Sequence, residues 1–138
     1  MSRFTLAAML AIALSAAACS NNDSVTSPTP TTPVSVTDTF NGTLTRNGAT
    51  SFPFNVSAAG TVYATLTSVA DSTIPVGLSL GIWNTSTNAC TIVLANDAAV
   101  QGTTVTGSAT NIGQLCARVY DVGKVVDPLD YQLTVSHY

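Results

Sequence analysis

The chain has 138 residues, of which 46% are hydrophobic and only 8% charged, and its formal net charge is −3; an average soluble domain is roughly 25% charged. All seven acids are Asp, a turn and cap residue rather than a helix former, and the four strong cations are Arg3, Arg46, Arg118 and Lys124. This composition excludes a helical bundle and a surface able to neutralise a run of phosphates, and leaves Thr, Ser, Asn and Gly to solvate a β-protein.

Arg3 precedes an apolar run over residues 4–14 (FTLAAMLAIAL), and small residues occupy 15–18. This is the layout of a secretory signal, and the apolar run is short of the ~20 residues needed to span a bilayer. The expectation is a signal peptide over residues 1–18. The stretch Leu14-Ser-Ala-Ala-Ala-Cys19 resembles the lipobox of bacterial lipoproteins, with Ala16 where the commonest lipobox has Leu. That resemblance implies cleavage before Cys19, diacylglycerol on its sulfur, and a partner in the membrane itself. Ser20 follows the cysteine; in enterobacteria-like sorting a lipoprotein without Asp at that position goes to the outer membrane. Residues 19–35 are rich in Ser, Thr, Asn and Pro with no apolar period, which predicts a flexible tether.

From Val36 onward the dominant period is two. Phe40, Gly42 and Leu44 face one way, and Asn47-Gly48 reads as a two-residue hairpin turn. Phe52, Phe54 and Val56 form the next inward face, Ala59-Gly60 a turn, and Val62, Ala64 and Leu66 a third face. Asp71-Ser72-Thr73 opens a loop before Val76, Leu78, Leu80 and Ile82, all expected to point inward. A short strand is predicted over residues 90–94, a loop at Asn96-Asp97, and a weaker strand over 103–109. Leu115, Ala117 and Val119 define the next strand, 123–128 a loop, and Tyr131, Leu133 and Val135 the last strand. About eight strands in residues 36–138, with no sustained 3.6 period, predict an all-β fold: an antiparallel, jelly-roll-like β-sandwich. An open OB-type barrel is the alternative; the strand number and the lack of a basic face disfavour it.

Three stretches carry a family resemblance. Phe40-x-Gly42-x-Leu44, Ser51-Phe-Pro-Phe-Asn-Val56 and Gly60-Thr-Val-Tyr-Ala-Thr-Leu66 look like the start of the bacterial pre-peptidase C-terminal domain. Cys116-Ala-Arg-Val-Tyr-Asp-Val-Gly123 and Asp130-Tyr-Gln-Leu-Thr-Val135 are similar to its end. The resemblance implies a compact β-sandwich acting as an accessory or binding module; related modules in some collagenases bind collagen and calcium. Here the domain follows a lipid-attachment segment rather than a peptidase, and no metal-ligand motif of the family is matched.

Candidate chemistry is sparse. The three cysteines are Cys19, Cys90 and Cys116. If Cys19 carries lipid, Cys90 and Cys116 are left to pair in an oxidising compartment, with two separately buried thiols as the alternative. Asp121, Asp127 and Asp130 cluster in sequence and are the only calcium candidates, although the spacing is not that of an EF-hand and Lys124 opposes a cation; no other cofactor is expected. Tyr63, Trp83 and Tyr120 fall opposite the apolar stripes and are candidate binding aromatics. His137, the only histidine, reads as a surface or strand-end residue, and no nucleophile–base motif accompanies it. The functional expectation is a membrane-anchored, non-catalytic binding or adhesion module with a glycan or envelope-protein ligand. A structural envelope lipoprotein is the alternative, and an enzyme a remote one.

Overall fold

A computed structural model describes residues 29–138. The signal segment, Cys19 and the first part of the tether lie outside the described residues. Eight strands follow in order: β1 (Val36–Leu44), β2 (Ala49–Val56), β3 (Gly60–Val69), β4 (Val76–Asn84), β5 (Ala89–Ala99), β6 (Thr104–Ala109), β7 (Gly113–Tyr120) and β8 (Leu129–His137). They form two four-stranded antiparallel sheets, ordered β1-β8-β3-β6 and β2-β7-β4-β5. Nested pairing of first with last, second with seventh, third with sixth and fourth with fifth is the jelly-roll sandwich.

The alternating strands form because one face of each is apolar and must be covered. Leu44, Val62, Leu66, Leu78, Val119, Leu133 and Val135 are essentially inaccessible and fill the space between the sheets. At one edge Phe40 of β1 stacks on Phe52 of β2, ring centroids 4.8 Å apart, and Tyr131 meets Phe52 edge-on at 6.3 Å. Pro53 fits β2 because that strand is an edge and one side of its backbone needs no donor. Val125, in the connection between β7 and β8, is 1% exposed and adds to the core from outside the strands. The residues Thr31–Tyr138 form one compact unit.

Four local expectations change. Asn47-Gly48 does not close a hairpin: β1 and β2 lie in different sheets, and the turn carries the chain from one layer to the other. Only Asn47 takes positive φ (56°), while Gly48 N–H donates to the Thr45 carbonyl at 2.8 Å. The predicted loop at Asn96-Asp97 lies inside β5. There the register with β4 slips, and Asn96 Oδ1 accepts from Ala98 N–H at 2.9 Å, so the turn chemistry makes a bulge rather than an end. Ile82, expected inside, is 56% exposed. A second slip, between Leu80 and Gly81, breaks the β4–β5 ladder just before it.

His137 is the last residue of β8, the strand-end position expected, but it is buried and not on the surface. It continues the inward alternation of β8, lies 5.0 Å from the Phe54 ring, and donates from Nε2–H to Asp38 Oδ2 at 3.0 Å. The following residue is pinned as well, since Ser57 N–H donates to the Tyr138 main-chain oxygen at 2.7 Å.

Candidate functional site

Two surfaces stand out, one on the outer face of a sheet and one at the edge where the two sheets meet. The first is the outer face of the β1-β8-β3-β6 sheet. Antiparallel register sets Thr39 beside Thr134, Thr134 beside Thr65, and Thr65 beside Thr104, so one row of four threonines crosses all four strands. The next row is Thr37, Ser136, Tyr63 and Thr106. Hydroxyls bond across the strands: Thr37 with Ser136 at 2.8 Å, Thr65 with Thr104 at 2.8 Å, and Thr67 with Thr134 at 2.9 Å. Gln132 Nε2 donates to Asn41 Oδ1 at 3.1 Å. Each hydroxyl offers one proton and two lone pairs, so a bonded pair still has one proton and three lone pairs for an outside partner. Tyr63 stands among them, 46% exposed. Asp130, held by the Thr43 hydroxyl at 2.5 Å, is the charge at the end of an otherwise neutral face.

The second surface is an apolar cleft of about 520 Å³ where β4, β5, β6 and the β6–β7 connection meet. β5 and β6 are the facing edges of their sheets. The floor is the buried Val62 and Leu80, and β6 presents only the small residues Gly107, Ser108 and Ala109 there, which leaves the space unfilled. A Cβ added at Gly107 would touch Leu94 at 3.2 Å and Leu80 at 3.3 Å. Ile82, Trp83, Val93 and Ile112 line the opening, and no charged residue contributes to the lining. The sequence pattern sets Trp83 outward and Ile82 inward, whereas Trp83 is half-buried, Ile82 is exposed and both line this cleft, which needs the β5–β6 adjacency that no local pattern reports.

The other candidate residues are held apart. Trp83 and Tyr120 belong to the β2-β7-β4-β5 sheet, so neither shares a face with Tyr63. Tyr120 is committed elsewhere: it donates to Asp97, its ring lies 5.4 Å from the Arg118 guanidinium, and it fills the space a side chain at Gly77 would need. Burial first, then the Asp97 bond and charge, push its phenol up to about 12 against the opposing effect of Arg118.

Asp121 is a loop anchor. Its Oδ1 accepts from the N–H groups of Gly123 (2.8 Å), Lys124 (2.8 Å) and Val125 (3.0 Å), and its Oδ2 from Asn47 (2.8 Å). Backbone bonds from Val125 and then Asn47 lead in holding its carboxyl down to about 2. The structure does not gather Asp121, Asp127 and Asp130 into a ligand set; among the described residues no group of three or more His, Cys, Asp or Glu is placed to hold a metal.

Cys90 on β5 and Cys116 on β7 stand at disulfide distance, with Cα atoms 5.8 Å apart. Cys116 pairs in register with Gly81 of the intervening β4, and a Cβ at Gly81 would overlap the Thr91 carbonyl, so the absent side chain lets β5 close over this point.

No protein-family model and no curated protein sequence matches the chain. The reading of its function therefore rests on the residues themselves.

Proposed function

We propose that the chain is an exported, lipid-anchored, non-catalytic binding module that presents the outer face of the β1-β8-β3-β6 sheet to neutral polysaccharide of the cell envelope. The observation that carries the ligand class is the four-strand threonine row with Tyr63 exposed beside it. A neutral array with both donors and acceptors gives no advantage to a polyanion or a polycation. It suits a polymer that is itself covered in hydroxyls, and an aromatic ring adds a stacking surface. Support for the address comes from the lipobox-like Leu14–Cys19 stretch and the Ser/Thr/Pro tether. Support for an accessory role comes from the resemblance to the pre-peptidase C-terminal domain. The non-catalytic reading is supported by the commitment of the single histidine to Asp38 inside the sandwich.

Retention on insoluble neutral polysaccharides such as chitin and cellulose tests the ligand. Native protein is expected to be retained, and Tyr63→Ala and Thr39→Lys to abolish retention. A panel without retention, or retention indifferent to both substitutions, contradicts this reading.

A second reading, a structural envelope protein that packs by contacts between its own copies, is favoured by one observation: the charge-free apolar cleft.

A further inference from the structure

We propose that the apolar surface around β5 is a two-fold interface at which this chain pairs with a second copy of itself. The inference rests on that surface alone and stands independently of the polysaccharide reading. Six side chains carry it: Ile82 (56% exposed), Ile92 (39%), Val93 (62%), Leu94 (40%), Ile112 (72%) and the half-buried Trp83. Together they leave roughly 500 Å² of apolar surface in water, near the top of the range for the largest patch on a monomer. A standard interface buries about 800 Å² per partner, a little over half of it apolar. The patch therefore matches the apolar share of one such interface, and the neutral residues around it supply the remainder.

The backbone points the same way. β5 is hydrogen-bonded only to β4, and its far side is an unpaired edge of eleven residues. The other three edges carry features that discourage pairing: Asp38 in β1, Pro53 in β2, and a length of only six residues in β6. The one charge on β5, Asp97, lies near the end of the strand and accepts from the Tyr120 hydroxyl. The bulge opposite Leu80 and Gly81 leaves Val93 without a partner on β4. Ile92, Val93 and Leu94 consequently all reach solvent where strict alternation would have hidden one face. Because that bulge interrupts the edge, the contact is patch against patch more than a continuous ladder.

A second copy fits because of charge. Around a two-fold axis each residue meets its own equivalents, so like charges are the usual obstacle to self-pairing. No Asp, Glu, Lys, Arg or His occurs between Ser72 and Asn96, or between Ala98 and Ala117. These two stretches supply almost all of the cleft lining. Such an arrangement leaves the hydroxyl face of each copy free, and two tethered faces would act with the avidity of a bivalent module.

Sedimentation equilibrium of residues 20–138, which contain the whole unit Thr31–Tyr138, tests this without any contribution from lipid. The expected result is a closed monomer–dimer equilibrium at micromolar concentrations. Ile112→Asp and Val93→Lys, both at exposed positions that leave the core intact, are each expected to weaken the dimer by at least about tenfold. Thr39→Lys, on the opposite sheet, is expected to leave it unchanged. A monomer at every concentration, an open-ended series of larger species, or a dimer weakened by Thr39→Lys and not by the β5-side substitutions would overturn the proposal.

Discussion

Asp121 organises two connections with one carboxylate. Its oxygens collect N–H groups from the β1–β2 turn and from the start of the β7–β8 loop, so the exit of β7 is tied to a turn that lies more than seventy positions earlier. The charged form accepts these four bonds better than a neutral acid can, which is why the carboxyl is held down to about 2. A depressed folded value contributes stability above the unfolded carboxylate range, near 4, and loses it as pH falls through about 2. Tyr120 acts at the other end of the scale. Its raised value contributes stability below the unfolded phenol range, near 10, which is lost as pH rises through about 12. Thermal melts across pH should therefore show an acid decline between about 4 and 2 that is blunted in Asp121→Asn. The alkaline decline between about 10 and 12 should be blunted in Tyr120→Phe. Equal acid slopes for native protein and Asp121→Asn would show that the carboxylate does not carry this linkage.

At the scale of the strand, alternation was legible and partnership was not. Phe40, Phe54, Val62, Leu66, Leu133 and Val135 follow the inward faces read from period two, since a strand covered on one side must alternate whatever lies opposite. The same pattern arises whether consecutive strands pair in one sheet or face each other across the core. For that reason Asn47-Gly48 read as a hairpin although it bridges two layers. β5 was the least legible element. Its two register slips spread Ile82, Ile92, Val93 and Leu94 onto the surface, and Asn96 supplied a turn signal inside a strand. The Cys90–Cys116 link holds this irregular strand to β7 across β4. Closing a loop of this length contributes about 3.5 kcal/mol in the chain-entropy model. The double variant Cys90→Ser/Cys116→Ser should lose stability of that order in denaturant titrations, with the β-sheet circular dichroism retained. A loss below about 1 kcal/mol would show that β5 is held by its packing instead.

The whole molecule combines a closed core with two outer surfaces of different chemistry. Its fold class was readable from composition and period. The threonine row and the apolar cleft were not, because each is assembled from strands far apart in sequence: β1, β8, β3 and β6 for one, β4, β5, β6 and β7 for the other. Individual threonines announced a solvated strand, and only the register made them a row. Both surfaces acquire a biological setting from the proposed anchor. A domain held to a membrane by acyl chains, each buried methylene contributing about 0.8 kcal/mol, meets polymeric and neighbouring ligands at high local concentration, so modest contacts suffice.

Attachment through Cys19 is the claim on which that setting depends, and mass spectrometry of the native N-terminal peptide tests it directly. The account predicts a chain beginning at Cys19 with diacylglycerol on its sulfur, and release of the protein from membranes in Cys19→Ser. A native N-terminus elsewhere, or an unmodified Cys19 in membrane-extracted protein, would contradict it.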